Sequence, residues 1–233
     1  MKRGYYLDQS KKLEKSLDAY LQKMKKPLRQ RYGEKKADSI MEKSRKYYPD
    51  IMQQMPYFET PMYDSLIVLA SRMMALKKGM KDEGIGVEEY VAFNITTTRN
   101  QTEKIPSFIR KIVGKLYLSR LARLYLKRVG KSATANGWLT EVVDGKKEDN
   151  YEMKVCTKDC GMLNFISSVG EEDLKPYCTF FDFTMAEAMG VGLTQISTID
   201  SGACTYCMSY NGKTMWPEAI EKLLRKETDN ILI

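Results

Sequence analysis

The sequence predicts an α+β fold: a helical N-terminal half followed by a small antiparallel sheet with helices packed on one face. Three observations carry that expectation. Apolar residues recur at helical spacing through the first 130 residues, and strand-like segments rich in Val, Thr, Tyr and Trp begin only after Gly130. Beyond that point strands and helices cluster rather than alternate strictly, which suits an antiparallel sheet better than a parallel one. The expected division is a helical region over 1–130 and an α+β region over 131–233, the two forming one compact unit of 233 residues.

In the helical half, Leu13, Leu17, Tyr20, Leu21 and Met24 repeat at three- and four-residue intervals, so residues 10–48 read as helix. Pro27 should interrupt it, and Tyr47-Tyr48-Pro49-Asp50 should end it, because a residue ahead of proline disfavours the α region. Met62 to Lys81 forms a second apolar block, Gly79 to Gly86 reads as a turn, and Val87 to Thr98 as a short helix. Pro106 suits the first turn of another helix, where its missing N–H costs nothing. That helix carries an apolar stripe of Ile105, Ile109, Ile112, Val113, Leu116 and Leu124. Between Lys104 and Lys131 there are nine basic residues and no acidic one. The expectation is a buried stripe flanked by a solvated basic face. An anionic ligand, nucleic acid or a membrane surface are the sharper alternatives. No recognised motif or interleaved aromatic platform supports nucleic acid.

In the second half, Asn136 to Val143 and Asn150 to Cys156 read as strands around the hairpin loop Asp144-Gly145-Lys146-Lys147. Helices follow over Cys160 to Val169 and Glu171 to Met189. Two more strands, Gly192 to Asp200 and Ala203 to Tyr210, join at Ser201-Gly202, and Trp216-Pro217-Glu218 opens a last helix running to about Arg225.

Composition narrows the chemistry. The chain contains no histidine, which excludes a Ser-His-Asp triad, a Cys-His dyad and an HExxH zinc site. Acid–base work falls to Asp, Glu, Cys, Tyr or Lys. Neither an apolar leader segment nor a run near the roughly 18 apolar residues of a membrane span is present, so a cytoplasmic protein with no membrane partner is expected. Five cysteines, an odd number, are then thiols rather than a disulfide framework. The net charge of +8 is uneven: residues 1–48 hold fifteen Lys or Arg against six Asp or Glu, and residues 150–233 hold seven against twelve.

All five cysteines fall between Cys156 and Cys207. In Cys178-Thr-Phe-Phe-Asp182, helical spacing would set a thiol and a carboxylate on one face, a nucleophile–base or acid–base pair. The plainer reading is a small apolar cysteine and an aspartate capping the next helix. Cys204 and Cys207 have CxxC spacing, but a strand would face them to opposite sides. Cys156, Cys160, Cys178 and Cys207 would suffice for a closed four-thiolate zinc site, although their spacing matches no common zinc module.

The run Tyr151 to Tyr210 resembles the L-2-amino-thiazoline-4-carboxylic acid hydrolase family of bacteria. The likeness lies in the strand Tyr151-Glu-Met-Lys-Val-Cys156, the segment Glu172-Asp173-Leu174-Lys175-Pro176-Tyr177-Cys178 with Asp182 after it, the segment Gly192 to Thr198, and Gly202 leading to Cys207 and Tyr210. Gln195 stands where the family has arginine, and Cys207-Met208-Ser209 where it tends to read Cys-Asp-Phe. The resemblance implies hydrolytic opening of a small cyclic isothiourea, with no cofactor or metal. It assigns Asp182 to the charged amidine and Cys178 or Cys207 to nucleophilic attack or proton donation. A thiolate at a helix N-terminus would have a lowered pKa. Thr198, Asp200 and Tyr210 would orient the substrate, and Cys156 would line the pocket. A more distant likeness to 4-vinyl reductase-like domains would make the same pocket a non-catalytic binding site. The expected partner is a small molecule; a homo-oligomer is left open.

Overall fold

The computed structural model describes residues 5–132, 138–146, 148–210 and 212–231. Its fold is α+β: a helical N-terminal half is followed by a four-stranded antiparallel sheet with helices against one face. The chain forms two compact units, Met1–Tyr90 with Gly161–Lys175, and Val91–Cys160 with Pro176–Ile233.

The first unit is built on α1 (Ser10–Tyr32), α2 (Glu34–Gln54) and α3 (Pro61–Lys81). Leu13, Leu17, Leu21, Met24 and Leu28 form the buried edge of α1 at the spacing read from the sequence. The break does not fall at Pro27, which α1 absorbs, but at Gly33, whose φ of 79° is cheap only for glycine. Pro49 does not end α2 either. Its ring faces solvent, while Tyr48, Ile51 and Met52 beyond and beside it are buried and hold the helix to Gln54. Burial on both sides of each proline thus outweighs the lost backbone bond. Residues of α7 (Gly161–Ser168) belong to this unit, with Phe165 and Ile166 buried. At its C-terminal side lies Glu171, 1 % exposed, which accepts from the Nζ of Lys77, itself 2 % exposed. Lys77 also donates to Asp173 at 2.7 Å, and Lys78 lies 3.0 Å from Glu171.

Helix α4 (Val87–Thr102) runs four residues further than expected and contains the division between the units. The second unit continues with α5 (Ser107–Tyr117) and α6 (Arg120–Ser132), then β1 (Leu139–Asp144) and β2 (Met153–Asp159), α8 (Phe180–Met189), β3 (Val191–Ser197), β4 (Cys204–Tyr210) and α9 (Glu218–Ile231). The residues at the predicted start of β1, Asn136 and Gly137, and Lys147 of the hairpin lie outside the described residues. Sheet order is β1-β2-β4-β3, antiparallel throughout. Directly opposed residues share a face. Register therefore sets Val142, Met153, Val155, Leu193, Tyr206 and Met208 on one side, packed with Phe183 and Ala186 of α8 and Leu118 after α5.

One expectation fails. The stripe of Ile105, Ile109, Ile112, Val113, Leu116 and Leu124 is exposed, not buried. Helix α5 docks by the opposite side, because Gly114 sits where any side chain would collide: a Cβ there would lie 2.6 Å from the Met189 carbonyl oxygen.

Candidate functional site

Within the second unit, chemistry-bearing groups gather where the start of α8 meets the helix-covered face of the sheet. Helix α8 begins at Phe180, so Cys178 lies in the preceding turn and Asp182 in the first helical turn. Their proximity comes from that turn rather than from a shared helix face. Thr179 occupies the N-cap, which leaves Asp182 free of the capping role.

Asp182 is an exposed residue, yet the protein packed around its carboxyl raises the pKa from 3.8 to about 6. Position in the first helical turn favours the charged form, and desolvation outweighs it. Ionisation of Asp182 raises the pKa of Tyr117, Cys178, Cys204 and Tyr206, so all four lie within electrostatic reach. Tyr117, from the end of α5, is pushed up to about 12, first by burial and then by Asp182. Burial also pushes the Cys178 thiol well above its ordinary range, with Cys160, Cys204 and Asp182 adding to the effect. Cys178 is therefore a neutral thiol at physiological pH, not the activated thiolate expected of a helix N-terminus.

Cys204 is the buried thiol of this group. Its Sγ accepts from Gln195 Nε2 at 3.3 Å, and the Tyr206 hydroxyl lies within electrostatic reach of it. Gln195 and Tyr206 are directly opposed across β3 and β4, which explains the meeting. The Tyr206 ring packs edge-on against Phe183 at 6.2 Å, linking the sheet to α8.

The other predicted residues are dispersed. Cys207 pairs with Lys154 across β4 and β2, and Cys156 with Thr205, on the face opposite Cys204 and Tyr206. Cys207 feels Lys154 and Asp149 rather than Asp182, and burial raises its thiol. The sequence expectation that Cys204 and Cys207 diverge on a strand is met by β4. Thr198 and Asp200 are exposed on the loop joining β3 to β4, at the 3₁₀ turn Ile199–Ser201. Tyr210 ends β4 on the helix-covered face, its hydroxyl donating to the Lys115 carbonyl at 3.5 Å. Four thiolates are not assembled, and among the described residues no three of Cys, Asp and Glu come together as metal ligands.

Tyr117 and Tyr206 were not singled out for chemistry by the sequence, and Cys204 only through its CxxC spacing with Cys207. Once the segment is a strand, Cys204 and Tyr206, two residues apart, share a side. Comparison with protein-family models, curated proteins and solved structures finds no match for this chain. The likeness to the thiazoline hydrolases therefore rests on the residues quoted for it.

Proposed function

We propose that the second unit carries a hydrolase site that opens a small cyclic amidine or isothiourea, such as 2-amino-thiazoline-4-carboxylate, with Asp182 as its acid–base group. The observation that supports this reading best is the Asp182 carboxyl at the start of α8, raised to about 6 and within electrostatic reach of Cys178, Cys204, Tyr206 and Tyr117. A carboxylate with that pKa is ionised at neutral pH but still basic enough to accept a proton, the range in which general bases work best.

Ionised Asp182 holds the ring amidine and accepts a proton from the attacking water. Oxygen bonds to the carbon flanked by nitrogen, nitrogen and sulfur; the C–S bond breaks, and the proton passes to the departing sulfur. The product is an N-carbamoyl cysteine with a free thiol. Cys178, held protonated, lines the site as a neutral donor rather than as a nucleophile. Cys204, hydrogen-bonded by Gln195, stands on the sheet side of the site. Cys207 and Cys156 take no part in this version, because their strands turn them to the other face.

A second reading, a non-catalytic small-molecule-binding pocket, draws on the raised Cys178 thiol, which leaves water as the sole nucleophile for any reaction there. A turnover assay beside a thermal-shift panel of small amidines and thiazoline acids separates the two. Stabilisation without turnover selects binding. Turnover that falls about 10²-fold or more in Asp182→Asn selects catalysis.

A further inference from the structure

The consecutive helices α5 and α6 turn apolar side chains to solvent. We propose that this surface attaches the protein, in plane, to a bilayer bearing anionic lipids. Helix α5 is docked with its apolar side outward. Gly114 and Arg110 face α8 and β3, with Arg110 Nη1 donating to the Ala188 carbonyl at 2.9 Å and Leu118 wholly buried just beyond. Phe108, Ile112 and Leu116, four residues apart on one side of the helix, face solvent; Phe108 and Leu116 are each 63 % exposed. Helix α6 buries Val129 and Gly130 and leaves Leu121, Leu124 and Tyr125 outside, Leu121 at 80 %. Scattered exposed apolar residues are ordinary, but two successive helices carrying such side chains at helical spacing mark an interaction surface.

Charge decides the occupant. From Lys104 to Lys131 the chain has nine basic residues and no acidic one. Arg123 and Lys127 are paired with Asp144, whereas Lys104, Lys111, Lys115, Arg120 and Arg128 make no ion pair among the described residues. Lys115 lies only about 20° around the helix from Phe108, at the edge of the stripe, where a long stem can follow apolar surface while its ammonium reaches outward. A second copy docking by the same face would bring two net-basic surfaces together. An anionic bilayer offers apolar depth beneath a negative surface and satisfies both features at once. Attachment is in plane, since among the described residues no helix is long and apolar enough to cross a membrane.

The test is co-sedimentation of the full chain with vesicles of phosphatidylcholine alone or with about 30 % phosphatidylserine, at low and high salt. The expected result is binding to the anionic vesicles at least tenfold tighter than to neutral ones, weakened by salt. Phe108→Ser/Leu116→Ser/Leu121→Ser should lose at least tenfold of that binding with unchanged far-UV ellipticity, because these side chains lie mostly outside the fold's packing. Lys111→Ala/Lys115→Ala/Arg120→Ala should lose roughly a hundredfold of the anionic preference. Two results would overturn the proposal: no binding to anionic vesicles at low salt, or a wild-type dimer in solution that the serine substitutions dissociate. Neither bears on Asp182, so the hydrolase reading stands or falls separately.

Discussion

Replacing Glu171 with glutamine removes the charge that holds a buried ammonium. Lys77 and Glu171 are 2 % and 1 % exposed, and their direct bond is reinforced by Lys78 at 3.0 Å and by Asp173 at 2.7 Å from Lys77. In Glu171→Gln the Lys77 ammonium stays buried and keeps only Asp173, whose carboxylate is 44 % exposed and so weakly effective. Breaking one side of a buried pair costs about 3–5 kcal/mol, and the surviving partner places this case near the lower end, about 3 kcal/mol. For a chain of this length that corresponds to a drop in Tm of roughly 6–12 °C. Urea unfolding followed by far-UV ellipticity at pH 7 should show a lowered midpoint at constant slope. The double variant Lys77→Met/Glu171→Leu should cost much less than the sum of the two single changes, since it removes both charges together. A loss below about 0.5 kcal/mol in Glu171→Gln, or strict additivity in the double variant, would refute the claim that this pair is a desolvated and mutually dependent unit.

The raised Asp182 carboxyl makes the folded state hold a proton more tightly than the unfolded chain does. That contribution is fully present below about pH 4 and is lost as pH rises to about 6. Asp182→Asn should therefore be more stable than wild type at pH 7 and equal to it at pH 3.5. The gain is about 1 kcal/mol, well below the ~3 kcal/mol of a fully buried group, because Asp182 is an exposed residue; urea midpoints at the two pH values check it. Cys178 should react with iodoacetamide at pH 8 at least tenfold more slowly than free cysteine, read by peptide mass mapping. A rate equal to that of the free thiol would show that burial does not hold Cys178 neutral, and a faster one would show an activated cysteine and restore the nucleophile role.

The α+β architecture was legible because helical spacing, as in the Leu13-Leu17-Leu21-Met24 edge, gives way after Gly130 to segments rich in strand formers, and both survive folding. Helix ends were less legible. Proline rules act locally, and the burial of Leu28 and Tyr48 around Pro27 and Pro49 overrides them. The α5 stripe misled for a related reason. Amphipathicity shows that a helix has two sides, not which one docks, and the informative residue was Gly114, opposite the stripe. Cys178 and Asp182 were legible as neighbours in sequence, but the helix start at Phe180 and the burial that neutralises the thiol were not. Tyr117 and Tyr206 come to Asp182 from 65 and 24 residues away, by docking and register that no local pattern encodes. Lys77 and Glu171, 94 residues apart, are the same case.

The most direct test of the proposed site is the pH dependence of kcat/KM for opening 2-amino-thiazoline-4-carboxylate, with the released thiol as readout. Wild type should rise with pH through about 6 to a plateau, as ionised Asp182 is required. Asp182→Asn should lose about 10²-fold or more and the pH 6 step with it, while Cys178→Ser should stay within a few-fold of wild type. Wild-type rates in Asp182→Asn, or a loss in Cys178→Ser as large as the one expected of Asp182→Asn, would contradict the account.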